Sequence, residues 1–136
     1  MSFSTLNEWL EFQQGINPKE IDLSLDRVQK VYNKLQINIP EKNVFLIGGT
    51  NGKGTTTSIL ERLFHKKGYT TGAFTSPHLS QYNERVRINL NNSFDEDWVS
   101  AFEIIETVRG DASLTYFEFS TLAAFQILSN HDCDAW

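Results

Sequence analysis

The chain has 136 residues, 40% of them hydrophobic and 21% charged, which is typical of one globular domain or of part of a larger one. Twelve Lys and Arg residues against 17 Asp and Glu give a formal charge of −5. This charge argues against a general nucleic-acid binder, because such proteins need a basic face. The single cysteine, Cys133, excludes an internal disulfide framework. No run reaches the roughly 18 apolar residues of a membrane helix, and the first residues show no leader pattern. We therefore expect a cytoplasmic protein without a membrane partner.

The first half of the chain alternates helical and strand patterns. Apolar residues recur at helical spacing over residues 21–35, which predicts an amphipathic helix. The continuous apolar run at 44–47 is typical of a strand buried on both faces, as in a parallel sheet. A glycine-rich turn follows, and then a second helical pattern at 59–64 that we expect to end at Gly68.

The second half continues this alternation. Residues 69–74 favour a strand, and alternating apolar residues at 86–90 favour a half-exposed strand that ends in a turn at Asn91 and Asn92. Helical patterns follow at 98–105 and from Thr115 onwards. A strand, a glycine loop, a helix and a strand open a doubly wound α/β domain. Because another buried strand is expected where the sequence ends, we interpret the chain as an N-terminal part of a larger α/β protein.

The strongest chemical signal is G-G-T-N-G-K-G-T-T at residues 48–56, between the predicted strand and helix. Glycines allow backbone amides to approach an anion closely. The following helix adds N–H groups at the positive end of its dipole, and Lys53 supplies a positive charge for phosphates. A hydroxyl at Thr55 or Thr56 can reach Mg²⁺ or a phosphate oxygen.

This loop departs from the standard phosphate-loop pattern G-x-x-x-x-G-K-[ST] at two positions. Ile47 stands where the pattern has glycine, and Gly54 stands where it has serine or threonine. The loop is therefore a variant, and a glycine-rich turn without a ligand is the alternative. A lysine beside a glycine at a helix start has little structural purpose, which favours phosphate binding.

Four blocks of sequence carry a resemblance, in this order: I-D-L-S-L-D-R-V at 21–28; G-T-N-G-K-G-T at 49–55; T-S-P-H-L at 75–79 with Y-N-E-R-V-R-I-N at 82–89; and R-G-D at 109–111 with L-T-Y-F-E-F at 114–119. Together they resemble the folate branch of the Mur ligase superfamily, the bacterial bifunctional folylpolyglutamate synthase/dihydrofolate synthases. The resemblance covers nearly the whole chain.

The resemblance implies an α/β fold: a P-loop-containing, Mur-ligase-like central domain with a parallel sheet flanked by helices. Residues 1–40 would form an N-terminal helical segment with a substrate-contacting loop, and 41–136 the first part of the ATP-binding domain. The rest of that domain and a C-terminal domain would lie outside the chain.

The resemblance further implies an ATP-dependent ligase of folate biosynthesis that uses ATP and Mg²⁺. ATP phosphorylates a carboxylate of dihydropteroate or a folate, and the amine of L-glutamate attacks the acyl phosphate. Such a reaction needs charge neutralisation on the γ-phosphate more than a protein nucleophile. The parent enzyme would be monomeric, with no nucleic-acid partner. We expect these 136 residues alone to be inactive.

The family's functional residues transfer by position onto this chain, without a catalytic residue among them. ATP would be bound by Thr50, Asn51, Gly52, Lys53, Gly54 and Thr55. Ser76 would ligate Mg²⁺ through its hydroxyl. The pterin would contact two stretches, namely Gly15, Ile16, Asn17 and Pro18, and Thr115, Tyr116, Phe117 and Glu118.

Simpler explanations exist for several of these residues. Thr115 and Glu118 have the spacing of a helix capping box, which explains both without a ligand. Ser76 before a proline is also a common turn start, and His78 beside it is more simply a hydrogen-bond partner than an acid or base. Arg85 and Arg87 share one face of the predicted strand. This arrangement suits an anionic substrate and equally suits a solvated edge.

Two other functions remain open from the residues alone. The chain can be a nucleotide-binding module of another Mur-type ligase, or a non-catalytic remnant. A generic phosphate-loop protein has no reason to carry both the T-S-P-H and the T-Y-F-E blocks, so these blocks favour the folate ligase.

Overall fold

The computed structural model describes residues 2–17, 24–41 and 43–136. Within these ranges the helices are α1 (Leu6–Ile16), α2 (Asp26–Tyr32), α3 (Lys53–Lys66), α4 (Asp95–Arg109) and α5 (Tyr116–Asn130), and the strands are β1 (Gly72–Phe74), β2 (Val86–Ile88) and β3 (Asn91–Asn92). A 3-10 turn, Tyr82–Arg85, precedes β2. None of the described helices is long and apolar enough to cross a membrane.

The chain divides into two compact units. The helical unit comprises residues up to 37 together with 94–127, and the sheet unit comprises 38–93 together with 128–136. Helix α5 contributes its last three residues to the sheet unit. The predicted domain boundary at residue 40 stays a prediction.

An aromatic cluster forms the core of the helical unit. The Trp9 ring lies 5.8 Å from Phe102 and 6.4 Å from Phe119, and Phe102 lies 5.6 Å from Trp98. All four side chains are fully buried. Because large aromatic rings remove the most apolar area from water, this cluster is the main stabilising contact of the unit. Trp9, Trp98 and Phe102 are thus packing residues of this unit.

Helix α1, which supplies Trp9, was not among the predicted elements. The helix begins with a capping box: Glu8 N–H donates to Thr5 Oγ1 at 3.3 Å, and Thr5 N–H donates to the Glu8 carboxylate at 3.0 Å. The T-x-x-E spacing of these two residues was visible in the sequence and is a recognised helix-start signal.

One polar side chain in this core has no described partner. Gln13 is only 1% exposed, and among the described residues neither its amide nitrogen nor its amide oxygen has a hydrogen-bond partner. Burying an unpaired amide costs about 1–3 kcal/mol in proteins.

We therefore expect Gln13→Leu to raise the free energy of unfolding by about 1–3 kcal/mol, measured by urea denaturation. The matched control, Gln14→Leu on the exposed side of α1, should change it by less than about 0.5 kcal/mol. A Gln13→Leu variant less stable than the wild type would contradict the conclusion that the buried Gln13 amide is unpaired.

The sheet unit combines an antiparallel and a parallel part. Strands β1, β2 and β3 pair antiparallel in that order, with Ala73 opposite Arg87. On the other side of β1, residues 134–136 run parallel: Gly72 N–H donates to the Ala135 carbonyl at 2.8 Å, and Ala135 N–H donates to the Thr70 carbonyl at 3.2 Å. Residues 134–136 also bond to residues 43–45, so they lie between the other two segments.

The prediction of a strand buried on both faces at 44–47 is wrong for this structure. Phe45 N–H donates to the Trp136 carbonyl and Trp136 N–H to the Asn43 carbonyl, both at 2.9 Å, but residues 44–47 are not in a regular strand. Leu46 is fully exposed and Val44 is 53% exposed. Among the described residues, backbone hydrogen bonds from another segment reach this one only at Asn43 and Phe45. The residues after Phe45 therefore have no neighbouring strand in the described part of the chain to cover them.

The other predicted elements lie close to the observed ones, with two differences. Helix α2 begins at Asp26, and the predicted helix start at Ile21 lies outside the described residues. The turn predicted at Asn91 and Asn92 is instead formed by Asn89 and Leu90, which have φ of 48° and 71°. Asparagine tolerates this left-handed conformation, and the Asn89 side-chain oxygen accepts from Thr71 N–H at 3.0 Å.

Candidate nucleotide-binding site

Two loops leave the parallel part of the sheet unit at the same edge. Segments 43–45 and 70–72 both run parallel to residues 134–136. The carboxyl ends of parallel strands meet at one edge, which is where ligands bind in open α/β sheets. The glycine-rich loop follows the first segment, and Ser76 follows the second.

The glycine-rich loop is open to solvent and ends in a helix start without a cap. Residues 48–56 are all exposed. Gly52 has φ of 78°, a left-handed conformation that glycine adopts readily. Helix α3 begins directly afterwards at Lys53, and no side chain caps its first amides. These N–H groups are therefore available to an anion at the positive end of the helix dipole.

Two further glycines in the loop have no structural reason within the described residues. A Cβ added at Gly48 or at Gly54 would meet no atom within 4 Å, and neither residue has a positive φ. Glycine at position 54 even weakens α3 relative to alanine. A ligand that approaches the backbone closely accounts for both glycines, and the loop therefore fits a phosphate group.

Lys53 folds back over the loop. Its Nζ donates to the Gly49 carbonyl at 2.5 Å, four residues earlier. Its backbone carbonyl accepts from Thr57 Oγ1 at 2.9 Å, inside α3. The ammonium group thus lies on a carbonyl of the loop itself.

The Ser76 loop is held by a neighbouring turn, while Ser76 itself stays free. Ser76 is exposed and has no hydrogen-bond partner among the described residues. His78 accepts from Arg85 Nε at 2.9 Å, which agrees with the simpler interpretation of this histidine. Since Nδ1 accepts, the neutral ring carries its proton on Nε2.

The two strand arginines are engaged inside the sheet unit. Arg87 donates through Nε and Nη2 to Glu61 Oε2 at 2.9 and 2.7 Å. Arg85 is buried and lies over the Tyr82 ring at 5.1 Å. Neither guanidinium forms a solvated edge, because both are engaged in contacts within the unit.

The capping box at the start of α5 is present. Glu118 N–H donates to Thr115 Oγ1 at 3.2 Å, and Thr115 N–H donates to Glu118 Oε2 at 2.8 Å. The same carboxylate oxygen accepts from Arg27 Nε at 2.8 Å. The cap fixes the helix start that carries Phe117, which is 49% exposed. No local pattern indicated Arg27 as the partner of Glu118.

The structure brings the two predicted pterin-contacting stretches together. Asn17 Nδ2 donates to the Ser113 carbonyl at 3.0 Å, and Ser113 Oγ donates to the Ile16 carbonyl at 3.0 Å. Ser113 precedes Thr115 by two residues. Gly15 is exposed at the end of α1, and Pro18 lies outside the described residues.

The remaining candidate groups are not arranged for chemistry. No cluster of three His, Cys, Asp or Glu side chains suited to a metal occurs in the described part of the chain. Burial, followed by the charges of Asp134 and Asp132, raises the pKa of Cys133 to about 11. The thiol is therefore protonated at neutral pH and unsuited to act as a nucleophile.

The fold and the loop together define an α/β protein with a glycine-rich loop, similar to a phosphate loop, at the carboxyl edge of its parallel segments. No family model matches the chain. It is 41% identical over 131 residues, 96% of its length, to dihydrofolate synthase/folylpolyglutamate synthase of Escherichia coli, and it covers 31% of that protein.

Solved structures agree with this relationship. A structure of E. coli FolC in complex with DHPP and ADP matches 97% of the chain with a TM-score of 0.93 and 41% identity. A bifunctional folylpolyglutamate synthase/dihydrofolate synthase with Mn, AMPPNP and L-glutamate bound matches 97% with a TM-score of 0.89 and 39% identity. In both cases this chain covers 32% of the known one. The chain is thus a homologue of these ligases that spans about a third of their length, and the predicted α/β, Mur-ligase-like fold class is confirmed.

Proposed function

We propose that this chain forms the phosphate-binding and pterin-contacting part of an ATP-dependent ligase that joins L-glutamate to dihydropteroate and folates. One observation carries the proposal: an exposed, uncapped loop at 48–55 with Lys53 folded over it. It gains weight from the 41% identity to dihydrofolate synthase/folylpolyglutamate synthase. A cytoplasmic location and a monomeric parent enzyme remain predictions.

In this proposal the loop binds the phosphates of ATP. The amides of Gly52, Lys53, Gly54 and Thr55 donate to phosphate oxygens, and the Lys53 ammonium exchanges the Gly49 carbonyl for the β- or γ-phosphate. Concentrated positive charge at the γ-phosphate stabilises the charge that develops during phosphoryl transfer.

Ser76 is proposed to hold Mg²⁺ on the other loop at the same edge. Mg²⁺ keeps several waters and is bound through few protein oxygens together with substrate phosphates, so one free hydroxyl is a fitting donor. Bound there, the ion would neutralise phosphate charge and orient the γ-phosphate.

The helical unit is proposed to contact the pterin. The exposed Phe117 ring offers a flat apolar surface for stacking. Glu118 Oε1 is buried and has no partner among the described residues, so it can accept a hydrogen bond from a ligand amine. The bond between Asn17 and Ser113 places the 15–17 stretch beside these residues. The E. coli FolC structure contains DHPP, a folate precursor.

Separate titrations with MgATP and with dihydropteroate test this function. Trp9 lies in the helical unit with Thr115 and Glu118, and Trp136 lies in the sheet unit with the glycine-rich loop, so tryptophan fluorescence is a suitable signal for both ligands. We expect both ligands to give saturable changes. A response to MgATP alone would indicate a generic nucleotide-binding module, and no response to either would contradict the proposal. We also expect no ADP release that depends on dihydropteroate and glutamate from these 136 residues.

A further inference from the structure

The loop that carries Ser76 is anchored by a carboxylate that the sequence analysis did not single out. Glu84 Oε2 accepts from Leu79 N–H at 2.8 Å. Its other oxygen, Oε1, accepts from Ser80 N–H at 3.1 Å and from Gln81 N–H at 2.9 Å. Three consecutive backbone amides therefore converge on one side chain.

The same short turn holds the loop at two further points. The Arg85 carbonyl accepts from Thr75 N–H at 2.8 Å, and Arg85 Nε donates to His78 at 2.9 Å. Residues on both sides of Ser76 are thus tied to residues 84 and 85, while Ser76 has no partner among the described residues.

The 3-10 turn that makes these contacts is itself held in place by buried side chains. Tyr82 and Arg85 are buried, and Val86, the first residue of β2, is fully buried opposite Phe74 of β1. Residues 75–81 contain no helix or strand. Their shape therefore depends on the bonds to the turn, of which Glu84 accepts three.

We propose that Glu84 is a positioning residue, which holds the 75–81 loop in the conformation that presents the Ser76 hydroxyl to a divalent cation on the nucleotide phosphates. The inference rests on the proposed function, because it takes Ser76 as the cation ligand. A purely structural role, as the capping box of the 3-10 turn, is the competing explanation. The Leu79 N–H, followed by that of Gln81, lowers the pKa of the Glu84 carboxyl, which keeps it an acceptor at neutral pH.

Glu84→Gln is the sharpest variant because both carboxylate oxygens accept from N–H donors. The glutamine NH₂ would face a donor at one of these positions, although the side chain keeps its size. Glu8→Gln is the matched control, since Glu8 also closes a capping box and accepts from Ser4 and Thr5 N–H groups, but in the helical unit. Glu84→Asp, which keeps the charge but shortens the reach, replaces Glu84→Gln in every measurement if that variant does not fold.

The test compares binding of a fluorescent ATP analogue in Mn²⁺ and in EDTA, with thermal unfolding as a check on folding. Disturbing a residue that orients a metal ligand typically weakens metal binding by 10-fold or more. We therefore expect Glu84→Gln and Ser76→Ala each to lower the affinity in Mn²⁺ by about 10-fold. In EDTA both variants should match the wild type, and Glu8→Gln should match it in both conditions. The double variant Ser76→Ala/Glu84→Gln should be no weaker than either single variant, because both act through one cation contact.

Several results would overturn the inference. The first is that Glu84→Gln binds the analogue in Mn²⁺ as tightly as the wild type does. The second is that Glu84→Gln loses as much affinity in EDTA as in Mn²⁺. The third is that the losses of the two single variants add up in the double variant. If Ser76→Ala removes the Mn²⁺ effect and Glu84→Gln does not, only this inference fails. If the wild-type chain does not bind the analogue at all, the proposed function fails with it.

Discussion

Lys53→Met is expected to lower the affinity of the chain for ATP by about 30-fold or more, with almost no change in stability. Hydrogen bonds to charged groups contribute roughly 1.5–3 kcal/mol each, and about 2 kcal/mol corresponds to about 30-fold in affinity. The exposed ammonium bonds only to the Gly49 carbonyl among the described residues, so folding should not depend on it. Equilibrium titration with a fluorescent ATP analogue, beside urea denaturation, measures both quantities.

Lys66→Met is the matched control for this prediction. Lys66 is an exposed lysine in the last turn of the same helix, and its removal changes the net charge equally. It should leave the ATP affinity within about 2-fold of the wild type, because exposed charges beyond a Debye length are screened. Equal losses in the two variants would show that general electrostatic attraction, and not the loop, binds the nucleotide.

Glu118→Ala is expected to lower the free energy of unfolding by about 3 kcal/mol, the largest effect on stability that we predict. Glu118 is 8% exposed, and one carboxylate oxygen accepts from both Arg27 Nε and Thr115 N–H. Its removal leaves a partly buried guanidinium without this partner and a buried amide without its cap, and both losses are costly. Urea denaturation at neutral pH measures the change.

Two variants separate the causes of this loss. Glu118→Gln keeps an oxygen that can accept from Thr115 N–H but removes the charge, so about half of the loss should remain. Glu11→Ala, at an exposed position of α1, should change stability by less than about 0.5 kcal/mol. A loss below about 1 kcal/mol for Glu118→Ala would show that the contact between Arg27 and Glu118 contributes little.

Local patterns predicted the elements whose signals lie within a few residues. The capping box of α5 and the stop of α3 at Gly68 depend on neighbours three or four positions away. The same rule applied to Thr5 and Glu8 would have found α1. The glycine loop was predictable for the same reason, since backbone conformation and charge at 48–55 are set by consecutive residues.

Contacts between distant parts of the chain were beyond such patterns. Arg27 and Glu118 are 91 residues apart in the chain. The residues around each of them do not indicate that the two side chains bond to each other. The burial of residues 44–47 was overestimated because an apolar run indicates a buried strand only when neighbours cover it. The role of Glu84 was missed because its bonds are to backbone amides, which any residue type supplies.

Backbone amide spectra recorded while ADP is added test most directly whether the 48–55 loop receives nucleotide phosphates. The account predicts saturable shifts of the Gly52, Lys53, Gly54 and Thr55 amides in the wild-type chain, and their loss in Lys53→Met. Amides that stay unmoved at millimolar ADP, or that move equally in both proteins, would contradict it.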